Sequence, residues 1–240
     1  MIHILTALHT LQLQVNSVMN DLAIIVPSRS RPQNIQALID SFEDTKAQCT
    51  LVVVVDDDDP TLDEYNKLSI PLLIQLPREG KGMARPLNRA ALTLRGEFSF
   101  FGFMGDDHRP RTPNWDEIFI AELADMPTGL VYGNDLLQGK RLPTQIVMTA
   151  NIVDALGGMV PPGFEHLYLD NFWLQLGTHL DVIKYLDDVI IEHMHPFAGK
   201  GEMDAQYQEV NDQSLASRDQ QRFIEYINSP EYQELLAALR

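Results

Sequence analysis

LAIIVPSRSRP (Leu22–Pro32) decides the fold. Its first six residues form a short apolar run that ends in a proline and then in polar loop residues, the pattern of a parallel strand buried on both faces. Pro32 stands where the first turn of a helix tolerates it, and Ile35, Leu38, Ile39 and Phe42 recur at the spacing of one buried helical face. The same alternation continues downstream. LVVVV (Leu51–Val55) is a strand that runs into four aspartates, Asp56–Asp59. Asp59 as N-cap, Pro60 at the first helical position, and Asp63 and Glu64 in the first turn predict the next helix. LLIQL (Leu72–Leu76) is a third strand, Met83–Leu94 a helix stopped by Gly96, and FSFFGFM (Phe98–Met104) a fourth strand. Strand and helix alternate throughout this half, which predicts an α/β fold with a doubly wound, mostly parallel central sheet flanked by helices.

Beyond Gly105-Asp106-Asp107-His108 the pattern is less regular. Asn114 caps a predicted helix through Asp125, GLVYG (Gly129–Gly133) is a short strand, a helix is expected over Asp170–Leu176, and Val189–Ile191 is a strand leading into Glu192-His193-Met194-His195-Pro196. From Asp204 the chain is polar and helical, and Ser229 and Pro230 open a last amphipathic helix. The first 20 residues carry no Lys or Arg, so they lack the basic region of a secretory signal and are expected to be an extension, with Met19 as an alternative start. No run reaches the roughly 18 apolar residues that a membrane-spanning helix needs.

Composition narrows the function. Eighteen Lys and Arg against 34 Asp and Glu give a net charge of −16 in 240 residues. That balance argues against a protein that tracks the phosphates of unmodified nucleic acid, which requires clustered cations. A single cysteine excludes a disulfide framework and a multi-thiolate zinc site, and makes a reducing, cytoplasm-like compartment the expectation.

Five constellations carry chemistry. Asp106 and Asp107 follow an apolar strand; adjacent carboxylates both ionise readily only when a cation or solvent compensates, and a hard divalent ion binds through few carboxylates plus phosphate oxygens and water. Asp56 and Asp57 sit at a strand's carboxyl end, where a ribose hydroxyl or a base N–H can be bound, although an acidic turn is their plainer explanation. Arg29, Arg31, Lys81 and Arg85 place cations in loops after the early strands, suited to phosphate or to stacking on a base. Neither a Walker loop nor GxGxxG is present. Strand alternation lets at most one of His193 and His195 face a given site, and two carboxylates with one imidazole make a reasonable Mn²⁺ set. Asp170, in the aromatic setting of Leu169-Asp170-Asn171-Phe172-Trp173, is either a helix cap or a general base whose pKa burial raises.

In their order along the chain these stretches resemble the GT-A-fold nucleotide-sugar glycosyltransferases, especially the family-two-like inverting enzymes and their small relatives in bacteria and tailed phages. IIVPSRSRP is similar to the opening strand and the loop over the nucleobase, VVVVDDDDP to the acidic strand end, GKGMARPLNRAAL to the helix flanking the diphosphate, FGFMGDDH to the DXD-type metal motif, YLDNFWLQLG to the helix of the catalytic base, and EHMHP to the late metal-binding histidine. The resemblance implies a GT-A domain over residues 21–200, between the 1–20 extension and a 201–240 helical tail. It further implies a nucleotide-diphosphate sugar donor bound by Pro27, Arg29, Arg31, Asp56, Asp57, Lys81, Arg85 and Asp106. A divalent metal, Mn²⁺ or Mg²⁺, would be held by Asp106 or Asp107 with His195, and Asp170 would be the catalytic base of a single displacement. The acceptor stays open among a protein hydroxyl, a glycan and a modified base. Two other readings are a sugar-phosphate nucleotidyltransferase and a non-catalytic nucleotide-sugar or glycan-binding module.

Overall fold

In the computed structural model residues 21–196, 199–200 and 213–240 are described. The 1–20 extension and the first stretch of the 201–240 tail lie outside the described residues. The first half contains strands β1 (Leu22–Pro27), β2 (Thr50–Asp56), β3 (Leu72–Leu76) and β4 (Phe100–Phe103), with helices α1 (Pro32–Asp44), α2 (Leu62–Tyr65) and α3 (Ala84–Thr93) between them. In the second half come β5 (His108–Pro110), α4 (Trp115–Leu123), β6 (Leu130–Asn134), β7 (Ile146–Thr149), α5 (Ala150–Leu156), α6 (Leu169–Leu180) and β8 (Ile183–His193), and finally α7 (Gln213–Ile227) and α8 (Pro230–Ala238).

The sheet order is β3-β2-β1-β4-β7-β6-β8-β5. β1 pairs in parallel with β2 and β4, and β2 with β3. The apolar run read as a doubly buried strand is one: Leu22, Ile24 and Val26 enter one core with α1 and α4, while Ala23 and Ile25 enter another with α3, α5, α6 and α8. Pro32, Ile35, Leu38, Ile39 and Phe42 form the buried side of α1, as their spacing requires.

Several elements differ from the sequence expectation: β5 and α5 have no counterpart in it, and Asn114 precedes α4 without a side-chain capping bond, the helix ending at Leu123. The helix expected from Asp59 is the four-residue α2: Asp59 does cap the turn that leads into it, accepting from Thr61 N–H and Oγ1 at 2.7 Å each and also from Ser30 N–H at 2.8 Å, but the regular helix covers only Leu62–Tyr65. β7, which no period in the sequence announced, runs antiparallel between β4 and β6. The Val189–Ile191 strand belongs to an eleven-residue β8 that lies parallel to β6, slips register past Gly133 and Asn134, and then pairs antiparallel with β5 so that His108 faces His193. At the far end, Ser229 Oγ accepts the Tyr232 N–H at 3.2 Å and caps α8, whose Tyr232, Leu235 and Leu236 enter the first core. No helix of the described residues is long and apolar enough to cross a membrane.

Candidate active site

Strands β1, β2 and β4 end at one cavity of about 270 Å³, in the crevice where open α/β sheets bind ligands. Its two walls come from the two halves of the chain.

The first wall is built from the loops after β1 and β2. Arg29 reaches Asp56 at 2.9 Å and Asp58 at 2.6 Å. Ser28 Oγ donates to Asp106 Oδ2 at 2.7 Å, and Arg31 and Asn34 donate to Asp106 Oδ1 at 3.3 and 3.4 Å. Burial pushes the Asp106 carboxyl up, against the pull of Arg31 and with the repulsion of Asp107. The Asp106 carboxylate thus serves to fix the β1 loop.

Asp107 anchors the second wall. Its Oδ2 lies 3.3 Å from His193 Nε2, and its Oδ1 is 3.6 Å from His108 Nδ1. Burial would raise the Asp107 carboxyl, but His193 overrides it and holds the group well below the ordinary carboxylate range. The His193 imidazole is driven down by burial and up by Asp107 and Asp135, and the carboxylates win, bringing it to about 9. Asp135 stands behind the ring, 3.9 Å from Nδ1 and too far for a hydrogen bond; its own oxygens accept from the Leu137, Gln138 and Gly139 N–H groups and from Thr144 Oγ1. His108 is fully buried and neutral, its pKa lowered to about 3 by burial and by the charge of His193. Its Nδ1 accepts the Gly105 N–H at 3.0 Å.

These residues fit a divalent cation. One ligand atom from each of Asp107, His108 and His193 lies within 4.8 Å of the others. An ionised carboxylate beside imidazole is a mixed oxygen–nitrogen donor set that suits Mn²⁺. Asp107 and His193 line the cavity with their facing atoms uncommitted to any backbone group, whereas His108 is tied to Gly105.

Between the walls, the segment Gly80–Met83 lines the cavity beside His166–Asp170, Gly82 lying against the Glu165 carbonyl. Asp170, in the first turn of α6, lines the cavity, and burial raises its carboxyl against a 2.8 Å hydrogen bond from the Asn171 N–H. Asn88 of α3 reinforces this region: its Oδ1 accepts from the Met159 and Val160 N–H groups and its Nδ2 donates to the Val160 carbonyl.

Of the residues singled out in the sequence, Pro27, Arg29, Arg31, Asp56, Lys81, Asp106, Asp107, Asp170 and His195 line this one cavity. Asp57 and Arg85 do not; Asp57 is exposed, and Arg85 points at the Glu79 carbonyl, 3.3 Å away. Strand alternation was expected to bring one of His193 and His195 to the site, but both line it. β8 ends at His193, the chain turns, and the His195 ring packs edge-on against His193 at 4.9 Å. The facing of His193 and Asp107, and the part played by Asp135, were missed; a carboxylate directly after the β6 strand (YGND, Tyr132–Asp135) was the available signal for Asp135.

Residues 23–143, just over half of the chain, match the family model described as glycosyl transferase family 2. No curated protein sequence matches the chain. Among solved structures, a mannosyltransferase from Pyrobaculum calidifontis in complex with GDP-Man and Mn²⁺ superposes with a TM-score of 0.60 at 13% identity, over 98% of this chain and 75% of that one. Glucosyl-3-phosphoglycerate synthase from Mycobacterium tuberculosis, in complex with Mn²⁺, UDP and glucosyl-3-phosphoglycerate, gives 0.55 at 15% identity, over 89% of this chain and 83% of that one. S. aureus TarS gives 0.54 at 19% identity over 92% of this chain, which spans 43% of TarS. Those structures share the α/β architecture of a mostly parallel, curled sheet flanked by helices, the GT-A fold.

Proposed function

The chain belongs to glycosyl transferase family 2 and is a glycosyltransferase, and on that premise we infer that it moves a sugar from a nucleotide-diphosphate donor to an acceptor hydroxyl by a metal-dependent single displacement. One observation carries this reading. A cation-sized group, Asp107 with His193, and a second, raised carboxyl, Asp170, line the same cavity as the Arg29–Asp56 ion pair. Those are the three parts the reaction needs: a place for a diphosphate's countercharge, a base, and a polar rim for the nucleoside.

Arg29 and Asp56 orient the nucleoside at the ends of β1 and β2, and Lys81 adds positive charge along the diphosphate. Asp107 and His193 would hold Mn²⁺ or Mg²⁺, with His195 beside them and Asp106 fixing the β1 loop alongside. When bound, that ion neutralises the developing charge of the leaving group. Asp170 takes the proton of the acceptor hydroxyl as its oxygen bonds to the anomeric carbon and the bond to the diphosphate oxygen breaks. Attack opposite the leaving group inverts the anomeric centre. Desolvation matters here, because a carboxyl raised towards working pH is a stronger base than one free in water. Residues 21–200 would form the catalytic unit, with the 201–240 tail joined to it.

A melting-temperature screen of UDP-, GDP- and dTDP-sugars, each with and without Mn²⁺, tests this reading. One nucleotide family is expected to raise the melting temperature, and only with the metal. Release of pyrophosphate from a nucleoside triphosphate would instead favour the nucleotidyltransferase reading. Binding without turnover against protein, glycan and modified-base acceptors would favour the binding module.

A further inference from the structure

The Glu165–Tyr168 segment is held more tightly than a surface loop requires. On one side it touches the segment flanking the cavity: the Glu165 carbonyl accepts the Ala84 N–H at 3.0 Å, and a Cβ on Gly82 would lie 1.8 Å from that carbonyl oxygen, so only glycine permits the approach. On the other side Asp219 of α7, fully buried, gives both carboxylate oxygens to three successive backbone N–H groups, those of Glu165 (3.0 Å), His166 (2.9 Å) and Leu167 (2.7 Å). A carboxylate shared among three N–H donors is a strong, directional clamp. Phe223, one turn further along α7, stacks on Tyr168 with ring centroids 5.8 Å apart.

What the clamp presents to the cavity is the imidazole of His166. The ring lines the cavity, its Nδ1 is sealed from solvent without a partner, and no hydrogen bond to Nε2 is formed among the described residues. Sealed in this way, Nδ1 cannot meet a ligand in the cavity, so Nε2 is the ring nitrogen left to bond one. Burial lowers the imidazole to about 4, more than the nearby Asp219 charge raises it, so the ring is neutral at pH 7. A neutral ring is a poor partner for phosphate and a good one for a hydroxyl, towards which it can donate or accept. Its place in the fold says which hydroxyl. His166 lies against Gly82, to whose added Cβ its own Cβ would be 3.0 Å, and shares the cavity with Asp170, the proposed base four residues on; in a single displacement the transferred ring sits between leaving group and base.

We propose that His166 reads a hydroxyl of the transferred sugar, and that Asp219 is the positioning residue that holds it in place. This rests on the nucleotide-sugar reading above. Helix α7 thereby becomes part of the specificity machinery of the cavity.

The test measures affinity by calorimetry on the full chain with Mn²⁺, using UDP, GDP and dTDP beside UDP-glucose, GDP-mannose and dTDP-glucose. In the unaltered protein the matching sugar nucleotide is expected to bind tighter than its bare diphosphate. His166→Leu and His166→Phe should each lose about five- to tenfold of that increment, the scale of one neutral hydrogen bond, while the bare diphosphate binds as before. Asp219→Asn, which turns one acceptor into a donor, should shrink the same ratio; a role confined to folding would lower the melting temperature and leave the ratio intact. If either His166 variant keeps the increment while binding the diphosphate normally, this proposal fails and the glycosyltransferase reading stands. If the unaltered protein binds none of the six probes, both fail.

Discussion

Asp106 and Asp107 are adjacent in sequence and answer to different halves of the molecule. Asp106 is held by Ser28, Arg31 and Asn34, all from the loop and helix after β1. Asp107 faces His193, delivered by the end of β8. Burial and its neighbour push Asp106 up, while His193 holds Asp107 ionised. One carboxylate therefore organises a loop, and the other offers charge to a cation. The first half of the chain builds a wall from neighbouring strand ends; the second assembles its wall from segments far apart in sequence.

The largest effect separating the two walls from the chemistry between them is expected at Asp170. Asp170→Asn should lower transfer by about 10²–10⁴-fold, the scale of general-base catalysis, with donor affinity unchanged. Transfer near the unaltered rate would remove Asp170 from the reaction. Next comes the pair itself. Asp107→Asn or His193→Ala should cost at least about tenfold in Mn²⁺-dependent nucleoside-diphosphate affinity, whereas Asp106→Asn should leave the metal dependence in place. Equal losses at the two aspartates would erase the distinction. A smaller change, about three- to tenfold in nucleoside-diphosphate affinity at fixed Mn²⁺, is expected for Arg29→Ala, with Mn²⁺ affinity unaltered; a shift in the Mn²⁺ isotherm would show that the two walls are coupled.

The smallest effect is on stability. The folded pKa of His193, about 9, lies above its ordinary value of 6.5, so its protonated form stabilises the fold. That contribution is whole below pH 6.5 and is lost as pH rises through about 9. The melting temperature of the metal-free protein should accordingly fall between pH 7 and pH 10, and fall less in His193→Gln. Parallel pH profiles would show that the Asp107–His193 pair carries no stability.

The same divide governs what could be read before the structure. β1, β3 and α1 are legible because each is a local pattern: a run buried on both faces, or one apolar helical stripe. So are Arg29 and Asp56, which follow strands that announce themselves. β7 is four residues long and owes its place to pairing with β4 and β6, which no local period records. The resemblance points to His195, and strand parity does not separate it from His193, because parity says nothing about where a strand ends or which way the chain then turns. Nor does the sequence join Asp219 to His166, 53 positions apart, since that contact depends on where α7 docks.

Diffraction from crystals grown with Mn²⁺ and the nucleoside diphosphate selected by the melting screen, recorded for the anomalous signal of manganese, tests the central claim most directly. The expected result is one peak bonded to the Asp107 carboxylate and the His193 imidazole, with diphosphate oxygens completing its shell in the cavity that Asp170 lines. A peak elsewhere, or a diphosphate bound in that cavity with no metal between it and Asp107, would contradict the account.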